Sequence, residues 1–441
     1  MKANKLLPVL LPVALAGSVV YKLTAQAEIS AAYTGFVEEA RHFVKHEVLY
    51  DGMENYIQAI QQTPSLELSL ESGQVYLNRQ MADEAVNWYE EELLPVYYDA
   101  PETYEYGVQA YLMMQDMQGV FTVFDDYNAR GLHSDIVEQT IAENKYAFYL
   151  KDKFEQVTAF SPANGAVVGG DGLWGIVNAS GNMVISQTYP KLCAFTQYAA
   201  AVDHQGRAIY LDEEERIRIT GSLVTENDPD FGQITEFKPI SDGLIPACNG
   251  KVWNFYDSET YTLRFGGFRD VTCISNGVGG VSNGDGWAII DSTGQLLTDY
   301  IYDEILVDPT GSPCHGDSLV VMKDEAYYLA DKQGNVIAGP YDNAEPFNDD
   351  TYTAVEKNGE WGFVNHQGEE ALMGKFDGVH AFSNTYAAVC MDDRWGYIDG
   401  TGETVIDYQF QNAGAMSSRG SAFVLDESGF WRLMILYLYQ H

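Results

Sequence analysis

Gly359-Glu360-Trp361-Gly362-Phe363-Val364-Asn365-His366-Gln367-Gly368-Glu369 and Arg394-Trp395-Gly396-Tyr397-Ile398-Asp399-Gly400-Thr401-Gly402-Glu403 follow one grammar, with their tryptophans 34 residues apart. Asn358-Gly359, ahead of the first tryptophan, suits a two-residue hairpin turn, because both residues tolerate positive φ. A strand from Trp361 to Asn365 is expected to follow, with Trp361, Phe363 and Val364 as its strand formers. Asn365 and Asp399 then cap their own turns, and a glycine three residues on, Gly368 or Gly402, supplies a left-handed position. The expected unit is a three-stranded meander: strand, tight turn, tryptophan strand, four-residue turn, strand. Trp361 and Phe363 share one face of the middle strand, and Gly362 and Val364 share the other. A strand apolar on both faces sits between two layers, so neighbouring units are expected to stack face to face. In that stack the tryptophans are buried, and each glycine leaves space for a neighbour's ring. One meander cannot bury its own tryptophan, so stability spreads over units and interfaces.

Lining up the aromatic position gives Trp174, Trp253, Trp287, Tyr327, Trp361, Trp395 and Trp431. Beyond Trp253 the spacings are 34, 40, 34, 34 and 36, and the gap of 79 before Trp253 leaves room for one degenerate unit near Arg207. That makes eight units of about 35 residues. The following glycine is present at Gly175, Gly362 and Gly396 and missing at Trp253-Asn254, Tyr327-Tyr328 and Trp431-Arg432. Capping pairs recur at Asn178/Gly181, Asp291/Gly294 and Asp331/Gly334. A Tyr-Asp or Phe-Asp follows in several units, as at Tyr302-Asp303, Tyr341-Asp342 and Phe376-Asp377, and then a segment such as Ala387-Ala388-Val389. The pattern resembles the WG-repeat family of bacterial proteins, also called KWG repeats, over some 60% of the chain. A closed propeller-like ring and an open β-solenoid both satisfy it. Eight units and the apolar final stretch Trp431 to Tyr439 favour the ring.

Residues 28–150 follow a different rule. Glycine is sparse, and apolar residues recur at helical spacing, as in Phe36-Ala40-Phe43 and Val120-Phe124-Tyr127. Small residues recur at Ala40, Gly73, Gly107 and Ala142, each followed within four positions by an aromatic: Phe43, Tyr76, Tyr111 and Tyr146. Gly52, Ala85 and Gly119 come about a dozen positions later. This resembles the tetratricopeptide repeat, in which small residues let paired helices approach closely, and Pro101 stands where a repeat would restart. An unrelated helical bundle is the alternative. The expected organisation is α+β multidomain: 1–27, a signal peptide or membrane anchor; 28–150, the helical region; 151–441, the β-array.

Lys2 and Lys5 precede an uncharged run from Leu6 to Tyr21, and Thr24-Ala25-Gln26-Ala27 follows Lys22. A basic start, an apolar run and an Ala-x-Ala site make a secretory signal cleaved near Ala27. Residues 6–21 retained as a membrane tether are the rival reading. Both place the bulk of the chain outside the cytoplasm. The 441 residues carry 25 Lys and Arg against 64 Asp and Glu, a net charge of −39. Such a surface repels nucleic-acid phosphate and anionic lipid headgroups alike. The five cysteines (Cys193, Cys248, Cys273, Cys314 and Cys390) form no C-x-x-C pair, which argues against a zinc framework or a dense disulfide scaffold.

Candidate chemistry is thin. Glu38, His42 and His46 share a helical face and have zinc-ligand character, without an H-E-x-x-H motif. Asn227-Asp228-Pro229-Asp230-Phe231-Gly232 has part of a calcium-loop spacing and lacks the rest. Gly277-Val278-Gly279-Gly280 reads as strand and turn, not as a phosphate cradle. Asp349-Asp350 and Asp392-Asp393 read as turn decoration. No nucleophile elbow and no P-loop are present. No catalytic residue, metal or cofactor is expected. Three function classes stand: a scaffold binding a protein partner, favoured as basic by charge; a binder of cell-envelope glycan, against which burial of the tryptophans speaks; and, least supported, an enzyme.

Overall fold

The computed structural model describes residues 30–161, 163, 165–348 and 351–439. The apolar run 6–21, the Ala27 site and Asp349-Asp350 lie outside the described residues. Two compact units form, one ending at Lys145 and the other beginning at Tyr146.

The first unit is helical: α1 (30–45), α2 (Leu49–Gln62), α3 (Leu66–Asn78), α4 (Ala82–Trp88), a π turn (Tyr89–Leu93) leading into α5 (Leu94–Tyr97), α6 (Pro101–Met113), α7 (Met117–Ala129) and α8 (Asp135–Asn144). Polar side chains cap several starts. Ser65 accepts from Leu68 N at 3.3 Å and Asp116 from Gly119 N at 3.0 Å. The small residues sit where helices touch. Gly52 lies against the Ala40 carbonyl, and Gly73 receives the rings of Trp88 and Tyr106. Those rings are held by polar handles as well. Trp88 Nε1 donates to the Ser69 carbonyl at 2.9 Å, and Tyr106 Oη donates to the Gly73 carbonyl at 3.0 Å. The last aromatic of the periodic series, Tyr146, instead joins the β unit, edge-on to Tyr386. Among the described residues no helix is long and apolar enough to cross a membrane.

The second unit is an eight-bladed β-propeller of small antiparallel sheets. The blades span 156–189, 191–220, 236–268, 270–302, 304–341, 343–376, 378–410 and 412–436. Blade 7 shows the plan: Gly378–Val379, Tyr386–Met391, Arg394–Asp399 and Thr404–Phe410, hydrogen-bonded in that order. The unit is therefore four-stranded, not three-stranded. The extra strand is a two-residue piece directly after the Phe-Asp or Tyr-Asp step, too short to carry a periodic signal. In blade 4 the last strand is reduced to bridges, Ile290 with Leu296 and Trp287 with Tyr302.

The ring closes by sharing a sheet. Phe148–Phe154, from the beginning of the unit, supplies the fourth strand of blade 8, with Tyr149 opposite Ile435 and Phe154 opposite Trp431. The solenoid alternative is thereby set aside, because blade 8 also stacks on blade 1: Phe423 and Leu433 meet Val168 and Val177, with Phe160 stacked on Phe423 at 5.2 Å. Face-to-face stacking holds at the other junctions too. Phe363 of blade 6 meets Val389 and Ile398 of blade 7. On the opposite face, Val364 meets Val320 and Leu329 of blade 5. Each such side chain contributes about 1.5–3 kcal/mol on burial.

Two expectations need correction. The repeated aromatics are half-buried, apart from the buried Trp253, because they stand at the hairpin end of the third strand while its centre fills the core. The space beside each glycine is filled from its own blade, not by a neighbour's ring. The fourth strand bulges opposite it, between Trp174/Ile176 and between Trp395/Tyr397. A Cβ on Gly175 would stand 2.7 Å from the Ile185 carbonyl. Units lacking this glycine compensate. Opposite Asn254 the fourth strand has Gly266-Gly267, and Asn254 Oδ1 accepts from Gly267 N at 2.9 Å. Opposite Tyr328 stands Gly339. Arg432 donates into the bulge of the borrowed strand, to the carbonyls of Asp152 at 2.6 Å and Leu150 at 3.2 Å.

Gly396→Ala is expected to cost about 1–3 kcal/mol by forcing a methyl onto the bulge, and Phe363→Ala about 3–5 kcal/mol. Urea titration should show lower midpoints at an unchanged slope. A wild-type midpoint for Gly396→Ala would remove this account of the glycine.

Candidate interaction site

Each repeated aromatic is half of a cross-strand pair. Trp174 faces Tyr189, Trp253 faces Phe268, Trp287 faces Tyr302, Tyr327 faces Tyr341, Trp361 faces Phe376, Trp395 faces Phe410, and Trp431 faces Phe154. The second member is the aromatic of the Tyr-Asp and Phe-Asp steps, a visible rhythm whose role the sequence did not disclose. The aspartate has a task of its own. Asp377 N–H donates to the Cys390 carbonyl at 3.0 Å, and its carboxylate accepts from Asp392 N at 2.8 Å, so it ties the end of blade 6 to the hairpin of blade 7. Asp342 repeats this with Asn358 N at 2.5 Å. Several rings are covered by the chain's own cationic or planar groups. Lys238 Nζ lies 4.9 Å above Trp253, Lys357 Nζ 5.8 Å above Tyr341, and the His380 ring stacks on Trp395 at 4.6 Å while bonded to Glu345 at 2.6 Å.

Blade 2 departs from the plan. Its third strand is Ala208–Leu211, and Asp212 opens the turn, so Ala208 holds the position of Trp174. Ile209 pairs with Thr220, and Gly221 stands where the second aromatic would. The single-residue link to the next blade is replaced by residues 221–235, with a short helix Gly221–Thr225 and a 3-10 turn Pro229–Phe231. A cavity of about 680 Å³ opens there, with Ala208 and Ile234 in its wall.

The fourth strands carry an apolar row. Their residues opposite Val177, Leu211, Tyr256, Ile290 and Ala330 are Met183, Ile217, Leu263, Leu296 and Val336, one register position in blades 1 to 5. All are 41–61% exposed. Blades 6 and 7 place Glu370 and Thr404 at that position.

The turns before four of these residues open on an aspartate, Asp212, Asp257, Asp291 or Asp331, and the turn before Met183 opens on Asn178. Asp331 Oδ1 accepts from Gln333 N at 2.9 Å and Asn335 N at 2.8 Å, and Asp212, Asp291, Asp399, Asn178 and Asn365 do the same. Amide donors hold the carboxyl of Asp257 below its usual value. For Asp291 and Asp331, partial burial works upward and the donors outweigh it, so both are lowered as well.

The remaining sequence candidates do not assemble. His46 Nδ1 donates to the His42 carbonyl at 2.8 Å. On the same helix, Arg41 forms a two-pronged pair with Glu71 at 2.6 and 2.5 Å, which Tyr56 Oη joins at 2.8 Å. Asp228 accepts from Tyr256 Oη at 2.8 Å. Val278–Ser282 is a buried strand, and Asp392-Asp393 form a two-residue hairpin turn at positive φ. Among the described residues no group of three or more His, Cys, Asp or Glu could hold a metal ion. Among the described residues none of the five cysteines forms a disulfide.

A family model described as WG containing repeat matches residues 329–361, 361–395 and 395–426, from the third strand of blade 5 into blade 8. No curated protein matches the chain. Solved structures are similar at low identity. The computationally designed Ika8 protein matches at 12% identity over 65% of this chain and 98% of its own, with a TM-score of 0.44. BamB from Moraxella catarrhalis matches at 13% over 67% and 99%, at 0.38. The WD40 β-propeller domain of Doa1 matches at 10% over 66% and 97%, at 0.34.

The carboxyls of Asp257, Asp291 and Asp331 titrate lower folded than unfolded, so their stabilisation is present above about pH 4 and is lost as pH falls through their depressed values. In buffers of fixed, high salt, which screens general repulsion, the melting temperature should drop below pH 4. Asp291→Asn/Asp331→Asn keeps at each site the oxygen that accepts the turn amides, as Asn365 does, but lacks the charge, so it should melt below wild type at pH 7, approach it in acid and show a shallower acid limb. Identical acid limbs would refute this role.

Proposed function

We propose that this protein is a non-catalytic, extracytoplasmic binding or scaffold protein whose repeat surfaces hold a protein partner. The observation that carries the reading is the apolar row on blades 1 to 5. Five exposed aliphatic or thioether side chains occupy one register position, and in blades 2 to 5 each follows a turn opened by an aspartate. A row of this kind, broken by Glu370 and Thr404, is a directional surface, and scattered apolar exposure would not repeat in register. The charge of −39 selects a basic partner and gives it a long-range attraction. The helical unit, read as tetratricopeptide-like, offers a second surface of the same kind. Residues 6–21 hold the chain at the membrane, or cleavage near Ala27 releases it.

Glycan binding is the second reading, since the aromatics are half-exposed. Sugar stacking needs open ring faces, and Lys238, Lys357 and His380 already occupy several. Affinity capture from the native cell envelope with residues 28–441 as bait should retain a basic protein at low salt and release it at high salt. Ile217→Glu/Leu263→Glu/Val336→Glu should lose it while melting like wild type. Retention of peptidoglycan alone would replace this reading with the glycan one. Mass of the mature N-terminus decides the export arm: an intact chain found in the cytoplasm would reject it.

A further inference from the structure

We propose that the apolar row of blades 1 to 5 is a track for an extended, lysine- or arginine-rich polypeptide segment, which follows the outside of the ring and sets one apolar side chain against each blade. The proposal rests on the protein-binding reading above and names the shape and chemistry of the partner.

The row lies on the fourth strands, which are the exposed strands of their blades and so the outermost. Residues opposite one another in an antiparallel pair share a sheet face. The row residues therefore share a face with Val177, Leu211, Tyr256, Ile290 and Ala330, each of which is buried against the preceding blade. Met183, Ile217, Leu263, Leu296 and Val336 thus stand at the outer mouths of five consecutive seams between blades. Stacked sheets lie about 10 Å apart and strands within a sheet about 4.8 Å apart, which puts the outer strands of eight blades on a circle of about 20 Å radius and neighbouring row residues about 15 Å apart. The row follows half of that circle. A compact domain resting on so convex a rim meets one or two blades, and a straight helix does no better. An extended chain can bend round it. At about 3.3 Å per residue it would place an anchor about every fifth residue and cover the row with about 20 residues.

The charge between the anchors sets the rest of the sequence. In blades 2 to 5 the turn and fourth strand, residues 212–220, 257–268, 291–302 and 331–341, carry nine acidic residues against four basic. Arg216 answers Asp212 at 2.8 Å and Arg264 answers Asp257 at 3.5 Å. Among the described residues no lysine or arginine pairs with Asp291 or Asp331, so cations of the partner are drawn there. A second copy of this chain would bring the same −39 and be repelled. The track also has ends. Glu370, paired with Lys357 at 2.6 Å, and Thr404 hold the position in blades 6 and 7, and Leu150 of blade 8 packs on the core of blades 7 and 8.

The test uses the full chain and labelled peptides followed by fluorescence anisotropy. One peptide has five Leu-Lys-Ser-Lys-Gly units, and the other has the same residues reordered so that all the leucines fall in one half. The evenly spaced peptide is expected to bind about tenfold more tightly, because only it can engage successive blades at once. Ile217→Glu, Leu263→Glu and Val336→Glu, made singly, should each weaken it by a similar factor. Glu370→Leu should extend the track, so that a sixth unit tightens binding to this variant and not to wild type. All four positions are exposed, so the variants should melt like wild type. Equal affinity for the two peptides, or a loss confined to one of the three glutamate variants, overturns the proposal. Wild type sedimenting with neutral phosphatidylcholine vesicles, and released by the same glutamate substitutions, would assign the row to a lipid surface and also overturn it. An envelope protein held by wild type and lost by just one glutamate variant would leave the scaffold reading standing and reject the track. Binding of the spaced peptide with no envelope protein retained would support the track and reject the scaffold.

Discussion

The pairing of Phe148–Phe154 with Trp431–Leu436 is the constraint on which the other blades depend. Every blade is apolar on both faces, so each needs two neighbours. A row of seven or eight such sheets would always end on two wet hydrophobic faces, and without the borrowed strand Trp431–Leu436 would be an open edge in blade 8. Lending the first strand to the last sheet removes both problems together. It completes the hydrogen bonding of Trp431–Leu436 and brings Phe423 against Phe160. The entropic cost of joining segments so far apart grows only slowly with the length between them. One strand exchange therefore suffices to convert a stack into a ring.

Within the ring, what recurs is a local steric exchange more than a fixed motif. The fourth strand bulges towards the third, and one partner must give way. Gly175, Gly362 and Gly396 give way on the third strand. Gly266-Gly267 and Gly339 do so on the fourth, where Asn254 and Tyr328 face them. Arg432 needs neither, since its guanidinium bonds to the bulge carbonyls. The missing glycines look like decay of the repeat in the sequence, and in the structure they are alternative solutions to one contact.

The eight units, the Asn358-Gly359 hairpin, the capping turns and the two-faced strand were legible because each is encoded within a dozen consecutive residues. The four-strand count was not, because a two-residue strand such as Gly378–Val379 has no period. The ring pair went unread although its spacing is regular: the second aromatic follows the first by 15 residues in blades 1, 3, 4, 6 and 7 and by 14 in blade 5. The bulge between them, as in Trp395 to Phe410, keeps simple strand alternation from showing that the two rings face each other. The half-burial of the tryptophans follows from their place beside a hairpin, which alternation alone does not reveal. The apolar row was hidden for a different reason. Met183, Ile217, Leu263, Leu296 and Val336 resemble any strand residue until register shows that they are equivalent. The departure of blade 2 is an absence, Ala208 where a ring is due, and only the structure shows that Ile234 of the insertion stands against Gly221 where the second ring would be.

The borrowed strand also sets a clock. Residues 148–154 leave the ribosome well before 431–436 exist, and at about 5–20 residues per second the wait is tens of seconds. Throughout that interval blades 1 to 7 can stack one on the next, but the early strand has no partner and the first blade has one face exposed. The nascent chain is thus a sticky, open arc until its final residues arrive. Chaperone attention to that arc, and not the stability of the finished ring, then governs how much of the chain reaches its closed state.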